Sequence, residues 1–376
     1  MDQANIVIIG GGVVGCAIAR AVSAERNDVF LLEALPRLAM GASSRNSGVI
    51  HSGLYYPPGS LKARHCVRGN RLTYEFCASH NVPHRNCGKL VVASSRAETQ
   101  ELARLVETGR ANGVENLQII DRAHIRAREP HIEGLEAIEV PSTGIVLSED
   151  LVKAYARVAT DQGANLVTNA RVERLEALEG TIRVTSTAGE IETRCLVNSA
   201  GLFADEVAAL LGSKMAEHKI YPVRGDYCEV ARAKSDFVRG LVYPLPHTEG
   251  LSLGVHFTRT LWGNILIGPT ARYIEDKNDY ESNRVTVEEF ARRAQLLLPE
   301  IEVADLAPAH SGIRAKLTPP PNSRAARPDK GMSDFIIQRD PEFPNVVQLI
   351  GIESPGLTSA PAIAEQVGEL VNEILA

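Results

Sequence analysis

Residues 6–9 form an unbroken apolar run, Ile-Val-Ile-Ile, after which the chain turns to glycine. A short run with no polar alternation predicts a strand buried on both faces of a parallel sheet. Apolar spacing then becomes helical from 13 to about 24, and a second apolar run at 29–32 stops at Glu33. The order strand, helix, strand is a βαβ unit. Helical spacing returns over 61–79 with Val67, Leu72 and Phe76, a strand follows over 87–95, and an amphipathic helix over 98–111 ends near Gly113. The stretch 144–178 reads as loop, helix and strand, with Ser148 or Asp150 as N-cap and Gly163 near the helix end. Residues 181–198 alternate like a hairpin turning at Ala188 and Gly189 and run into an apolar strand ending at Ala200 and Gly201; a helix from Asp205 reaches Leu211. From 219 to 267 the pattern becomes short alternating strands, the texture of an antiparallel sheet. A helix over 285–298, a proline-rich loop at 318–330, two strands and a last helix complete the chain, the last helix capped by Thr358 or Ser359 with Pro361 in its first turn.

The βα-type texture recurs at both ends and in the middle, with sheet-rich stretches between. The fold class is therefore α/β (α+β overall). One Rossmann-like domain is expected from 1–83, 144–215 and 305–376, and a second, antiparallel-sheet domain from 84–143 and 216–304. A chain of 376 residues suits two such units. Hydrophobic content of 44% and charged content of 23% are ordinary for a globular protein, and a net charge of -6 gives no field that would hold nucleic acid. Six irregularly spaced cysteines predict free thiols in a reducing compartment. The N-terminus lacks the features of a secretory signal, and no apolar run is long enough to span a bilayer. The expected location is cytoplasmic, with peripheral contact at the cytoplasmic face of a membrane left open.

The chemistry starts at Gly10, Gly12 and Gly15, a G-x-G-x-x-G fingerprint between strand and helix. Gly10 permits the turn, Gly12 lets backbone approach a pyrophosphate, and Gly15 lets helix and strand pack closely. N–H groups at the helix start receive phosphate charge. Glu33, at the end of the second strand, can accept the hydroxyls of an adenosine ribose. The fingerprint alone does not separate NAD from FAD, but no second mononucleotide half follows. Instead a loop of small residues, 41–47, precedes the segment SGVIHSGLYYPPGSLKARHCVRGN at 47–70, rich in glycine and proline. His80, His84 and Cys87 lack a fourth ligand and helical spacing, so no metal site is expected. Tyr55 and Tyr56 either shield a ligand or pack the loop.

The segments VIIGGGVVG, NSGVIHSGLYYPPGSLKARHCVRGN, CGKLVVA, VPSTGIV, PVRGDY, LGVHFTR, IGPTARY, SGIRAKL and GIESPGLT resemble the FAD-dependent D-amino-acid oxidase/glycerol-3-phosphate dehydrogenase superfamily, and within it the L-2-hydroxyglutarate dehydrogenase/oxidase family. They span nearly the whole chain. The first is shared by many flavoproteins; SGVIHSGLYYPPGSLKA and GVHFTR are far more specific. The proline-rich stretch after Leu317 and a short region before Leu306 depart from the family pattern. The resemblance implies non-covalent FAD. It places Ser43, Ser44, Asn46 and Ser47 at the pyrophosphate–ribityl region, and His51, Ser52 and Gly53 near the flavin ring, with Gly48 where backbone lies against cofactor. Val13, Val14, Ala34, Val172, Ala200, Gly201 and Gly312 complete the implied nucleotide side. Ser354, Pro355, Gly356, Leu357 and Thr358 would bring a helix N-terminus to the flavin.

The implied reaction oxidises L-2-hydroxyglutarate, or a close 2-hydroxy dicarboxylic acid, to the 2-oxo acid. A hydride leaves C2 for flavin N5, the hydroxyl proton goes to a base, and the carboxylates need cations. His256 is the first choice of base and His51 the rival; a strand histidine satisfied by its neighbours is the plain alternative for His256. His310, placed beside a predicted turn, ranks lower. Arg314 matches the family's carboxylate-binding arginine, and its fork suits bidentate contact. Arg259 follows His256 by three residues, and on a strand the two would face opposite sides. Lys89, Tyr243 and Arg224 are further candidates for the distal carboxylate. A competing enzyme reading is FAD-dependent oxidation of a secondary or N-methyl amino acid; one of another class is a non-catalytic flavin-bound module. The electron acceptor stays open among oxygen, quinone and an electron-transfer protein.

Overall fold

A computed structural model describes residues 2–245, 254–321, 323 and 333–376. Most of the proline-rich stretch at 318–330 thus lies outside the described residues. Two large sheets organise the rest. The first has eight strands, ordered Val172–Ala177, Ile182–Ser186, Gly189–Asn198, Asp2–Ile9, Val29–Leu32 and Asn165–Val167, with Val346–Ile350 joined to Gly189–Asn198 and Ile336–Arg339 joined in turn to Val346–Ile350. Asp2–Ile9 pairs in parallel on both sides, which explains its uninterrupted apolar run. Gly189–Asn198 divides its far edge: residues 189–193 pair with the hairpin and 196–198 with Val346–Ile350. The hairpin turns between Ser186 and Gly189, as the alternation predicts.

Helices Val13–Ser23, Ser148–Asp161 and Gly356–Leu375 cover one face of this sheet. Cys16, Ala17, Val22, Tyr155, Ile363 and Val367 meet there in one core. Each buried aliphatic side chain contributes about 1.5–3 kcal/mol relative to exposure. Gly15 makes the close contact possible: a Cβ there would lie 1.9 Å from the Gly10 carbonyl oxygen.

The second sheet has nine strands. Arg272–Tyr273, Tyr221–Val230, Ile265–Gly268, His256–Arg259, Leu241–Pro244, Lys89–Ala93, Glu136–Val140 and Gln118–Asp121 lie in that order. The pairing is antiparallel except between Leu241–Pro244 and Lys89–Ala93 at the centre. Leu306–Lys316, inside the expected 305–376 segment, pairs with Tyr221–Val230 of this second sheet through nine residue pairs, with an irregularity between Asp226 and Cys228. A small sheet of Val49–Ile50, Gly144–Val146 and His84–Arg85 lies between the sequence segments of the two.

Several local expectations are corrected. Neither Ser148 nor Asp150 caps its helix, because Ser148 is already its first residue and Leu147 occupies the cap without a side-chain bond. The helix expected over 285–298 is Val287–Ala294, capped by Thr286. The C-terminal helix begins at Gly356 after Pro355, so Pro361 lies inside it rather than in its first turn. Thr358 spends its hydroxyl elsewhere, accepting from His51 N at 2.9 Å and donating to Val49 O at 3.3 Å. His310 lies within the strand Leu306–Lys316, not beside a turn. All six cysteines are free, and no helix among the described residues is long and apolar enough to cross a membrane.

Leu61–Ser79 crosses the start of the C-terminal helix at Gly69, where an added Cβ would sit 2.2 Å from Thr358 O. Gly69→Ala is therefore expected to cost about 1–3 kcal/mol through overpacking. Gly368→Ala in the same C-terminal helix, where a Cβ would meet nothing, should stabilise by about 0.5–1 kcal/mol. Urea midpoints of the two variants check both signs.

Candidate active site

Between the two large sheets runs a cavity of about 650 Å³, lined by parts of both. One end is the glycine turn. Gly12, Val13 and Val14 line it, and Ser43 Oγ accepts from Val13 N at 2.9 Å, supplying from the loop the cap that Gly12 lacks. Behind them, Glu33 accepts from Gly11 N at 2.7 Å and Leu35 N at 2.8 Å. Each oxygen of that carboxylate keeps a further lone pair for a ribose hydroxyl. Asn46 fixes the small-residue loop: its side chain donates to Ala42 O and Ser43 O and accepts from Gly48 N at 2.7 Å.

Ser43, Asn46, Ser47 and Gly201 reach the cavity wall, as do Gly312, Ser354, Pro355, Gly356 and Leu357. Gly10, Gly15, Ala34, Ser44, Gly48 and Ser52 are not on that wall; nor are Ala200 and Thr358. Val172 starts the outermost hairpin strand, opposite Ser186, also off the wall.

His51, Tyr243 and His256 line the same cavity. His51 is held from two helices: its N–H donates to Thr358 Oγ1, and its carbonyl accepts from Asn70 at 2.9 Å. Its Nε2 lies 3.5 Å from Ser354 Oγ, while its Nδ1 is buried without a partner among the described residues. Burial, aided by the charge of Lys89, pushes its imidazole down to about 3, so the ring is neutral at physiological pH. His256 lies flat on Tyr243, ring centres 3.6 Å apart and planes 11° apart.

The candidate cations separate sharply. Arg314 lines the cavity, donating to Thr270 O at 3.2 Å. Arg259 faces away from it, bound to Asp236, Ser235 O and Val238 O, because strand alternation puts it opposite His256. Arg224 is fully buried against Asp226 at 3.0 Å and Asp279 at 3.3 Å, and is off the wall. Lys89 is buried behind the wall, and burial pulls its ammonium down to about 7.

Sequence reasoning missed a buried cluster at this wall. Glu353 bonds Lys62 at 2.8 Å and Lys316 at 3.2 Å, and all three line the cavity with Arg314. Burial works against its charge, but Lys62, Lys316 and Arg314 prevail and hold its carboxyl at about 2. Three cations face one carboxylate, leaving a net positive wall. Lys316 was legible in part, since it follows Arg314 by two residues and shares its strand face. Lys62 and Glu353 are 291 residues apart and carried no local signal.

The wall suits FAD. The N-termini of Val13–Ser23 and Gly356–Leu375 both open onto this cavity, and neither has a side-chain cap from its own N-cap residue. Such ends favour anionic groups. The polar loop 42–47, Glu33 and the His51 Nδ1, which has no partner among the described residues, supply the remaining donors and acceptors such a ligand needs.

Comparison with known proteins agrees. The chain is 34% identical over 412 residues to the mitochondrial L-2-hydroxyglutarate dehydrogenase of Arabidopsis thaliana, covering 97% of this chain and 83% of that one. It is 32% identical over 409 residues to the L-2-hydroxyglutarate dehydrogenase of Escherichia coli strain K12, covering 99% and 94%. Among solved structures, dithionite-reduced L-alpha-glycerophosphate oxidase from Mycoplasma pneumoniae with FAD bound superposes with a TM-score of 0.87 at 26% identity, covering 99% of this chain and 95% of that one. Glycine oxidase from Geobacillus kaustophilus shares the fold, with a TM-score of 0.81 at 21% identity and coverage of 99% and 95%. The profile of the DAO family, described as FAD dependent oxidoreductase, matches residues 5–370. Its fold, its two-helix cavity and these relatives together place the chain in the FAD dependent oxidoreductase family, alongside the L-2-hydroxyglutarate dehydrogenases.

Proposed function

We propose that this protein is an FAD-dependent oxidoreductase that converts L-2-hydroxyglutarate, or a close 2-hydroxy dicarboxylic acid, to the 2-oxo acid. The observation that carries this reading is near full-length similarity to dehydrogenases named for that substrate. The net positive cavity wall supports it, since the substrate brings two carboxylates.

FAD, when bound, supplies the two-electron acceptor for oxidation at C2. The Gly12–Val14 turn, Glu33, the 42–47 loop and the start of the C-terminal helix would hold the nucleotide. His51 takes the hydroxyl proton. Its geometry suits an acceptor: it is immobilised through its own backbone and has a buried ring nitrogen without a partner among the described residues. This reverses the order in which the sequence ranked the two histidines. His256, flat against Tyr243, forms the wall that orients the substrate. Arg314 binds a substrate carboxylate, and its bond to Thr270 O fixes the guanidinium for that contact.

Anaerobic addition of L-2-hydroxyglutarate to the holoenzyme is expected to bleach the oxidised-flavin absorbance, with the D-isomer and sarcosine inert. Persistence of the band with the L-acid would overturn the substrate assignment, and bleaching by sarcosine would favour an amine substrate.

His51→Gln is expected to lower kcat by about 10²–10⁴-fold while FAD stays bound, and His256→Gln by less. Because the imidazole loses its proton only above about 3, kcat/KM should be level between pH 5 and 6.5 and fall as acid protonates the ring. An acid limb that persists unchanged in His51→Gln would exclude His51 as the base.

Arg314→Gln should raise KM by about 10–100-fold, the value of a charged hydrogen bond. Arg314→Lys should recover part of it, since the charge remains and the fork is lost. Steady-state kinetics of the two variants separate charge from geometry.

A further inference from the structure

Lys89 and Tyr55 have no part in the mechanism above, yet their arrangement is costly. Lys89 is 1% exposed, and no carboxylate pairs with it among the described residues. A buried ammonium without a counter-charge destabilises a fold unless something else needs it. Its neighbours are aromatic. The ammonium lies 4.4 Å from the ring centre of Tyr55 and 4.7 Å from that of Tyr243, and it donates to the Tyr55 phenol oxygen at 3.2 Å. Tyr55 and Tyr243 line the cavity, and Lys89 stands behind them.

The hydrogen-bond direction decides what Tyr55 can do. A phenol oxygen that accepts from an ammonium must send its own O–H elsewhere. Burial holds the Tyr55 phenol well above its usual value, so it keeps that proton. No other acceptor for it is present among the described residues. Polarisation by the adjacent cation strengthens it as a donor.

We propose that Lys89 and Tyr55 form an anion-recognition relay, in which the buried ammonium donates to the phenol oxygen and the phenol O–H donates to the distal carboxylate of the substrate. The missing counter-charge of Lys89 is then brought by the ligand. Tyr55 is a specificity-determining contact, and Lys89 is a positioning residue acting through it. The inference rests on the dicarboxylate reading above, with Arg314 serving the carboxylate next to C2.

The test separates the two readings by using binding without turnover. Glutarate and butyrate, which differ by one carboxylate, are titrated at pH 6, below the Lys89 value of about 7, into the FAD-loaded protein and followed by the flavin absorbance. Wild type is expected to bind glutarate more tightly. Tyr55→Phe and Lys89→Met should each weaken glutarate by about 10–100-fold, the range for hydrogen bonds to charged groups. Butyrate binding should be unchanged, and the double variant should be no worse than either single one, as a serial relay requires. Lys89→Met, which removes an unpaired buried charge at similar volume, should also melt at a higher temperature than wild type. Equal affinity of wild type for the two acids, additive losses, or equal losses for both acids would overturn the relay. A lower melting temperature with unchanged glutarate binding would make Lys89 a packing residue and overturn it too. Failure of L-2-hydroxyglutarate to bleach the flavin would overturn the substrate assignment alone, since glutarate binding needs no oxidation.

Discussion

Thr358 is the joint on which the site depends. One buried hydroxyl accepts the His51 N–H and donates to the Val49 carbonyl, while the Thr358 carbonyl accepts from Thr73 at 3.3 Å. These bonds tie the loop after the first βαβ unit to the start of the C-terminal helix and to the helix beneath. They are geometrically feasible only because Gly69 lets the two helices meet at backbone distance. Asn70, one residue on, completes the clamp by donating to the carbonyls of His51 and Ser142. The imidazole is therefore placed by backbone constraints, which are less tolerant of drift than side-chain contacts. A loop dense in glycine and proline is costly to order; here its cost is offset by bonds to two helices.

The second governing feature is enclosed charge. Glu353 holds Lys62 and Lys316 in a buried cluster whose members would each be strongly destabilising alone. Asp334 contributes by accepting the N–H groups of Leu61 and Lys62, which fixes the start of the helix carrying Lys62. The cluster leaves the cavity positive without leaving any of its cations without a carboxylate. Lys89 differs in that its neighbours are tyrosines. Low local dielectric makes both arrangements effective toward an arriving anion and costly in its absence.

Local rules were reliable where one element contains its own reason. The apolar run at 6–9, the three glycines and Glu33 each act within about 30 residues, so strand, turn, helix and acid could be read directly. Strand alternation likewise separated His256 from Arg259 before any contact was known. Caps were read less well. Ser148 and Thr358 have the chemistry of cap residues, but the helix at 148 begins one residue early and the Thr358 hydroxyl is claimed by a loop some 300 residues away in sequence. His310 showed the same limit, since its strand is defined by pairing with Tyr221–Val230 and not by its own pattern.

What the sequence determined by itself was the nucleotide unit, the mixed α/β class and, through its resemblance, the FAD family. These follow from short-range spacing and from segments that survive as recognisable words. What only the tertiary structure decided was which charges belong to the cavity. Arg224 and Arg259 look as available in the sequence as Arg314, yet one is buried among carboxylates and the other faces away. Lys62 and Glu353, unremarkable in sequence, meet at its wall. The reason is physical: a side chain's electrostatic role depends on burial and on partners within a few ångströms, and those distances are set by packing between segments that the sequence keeps far apart.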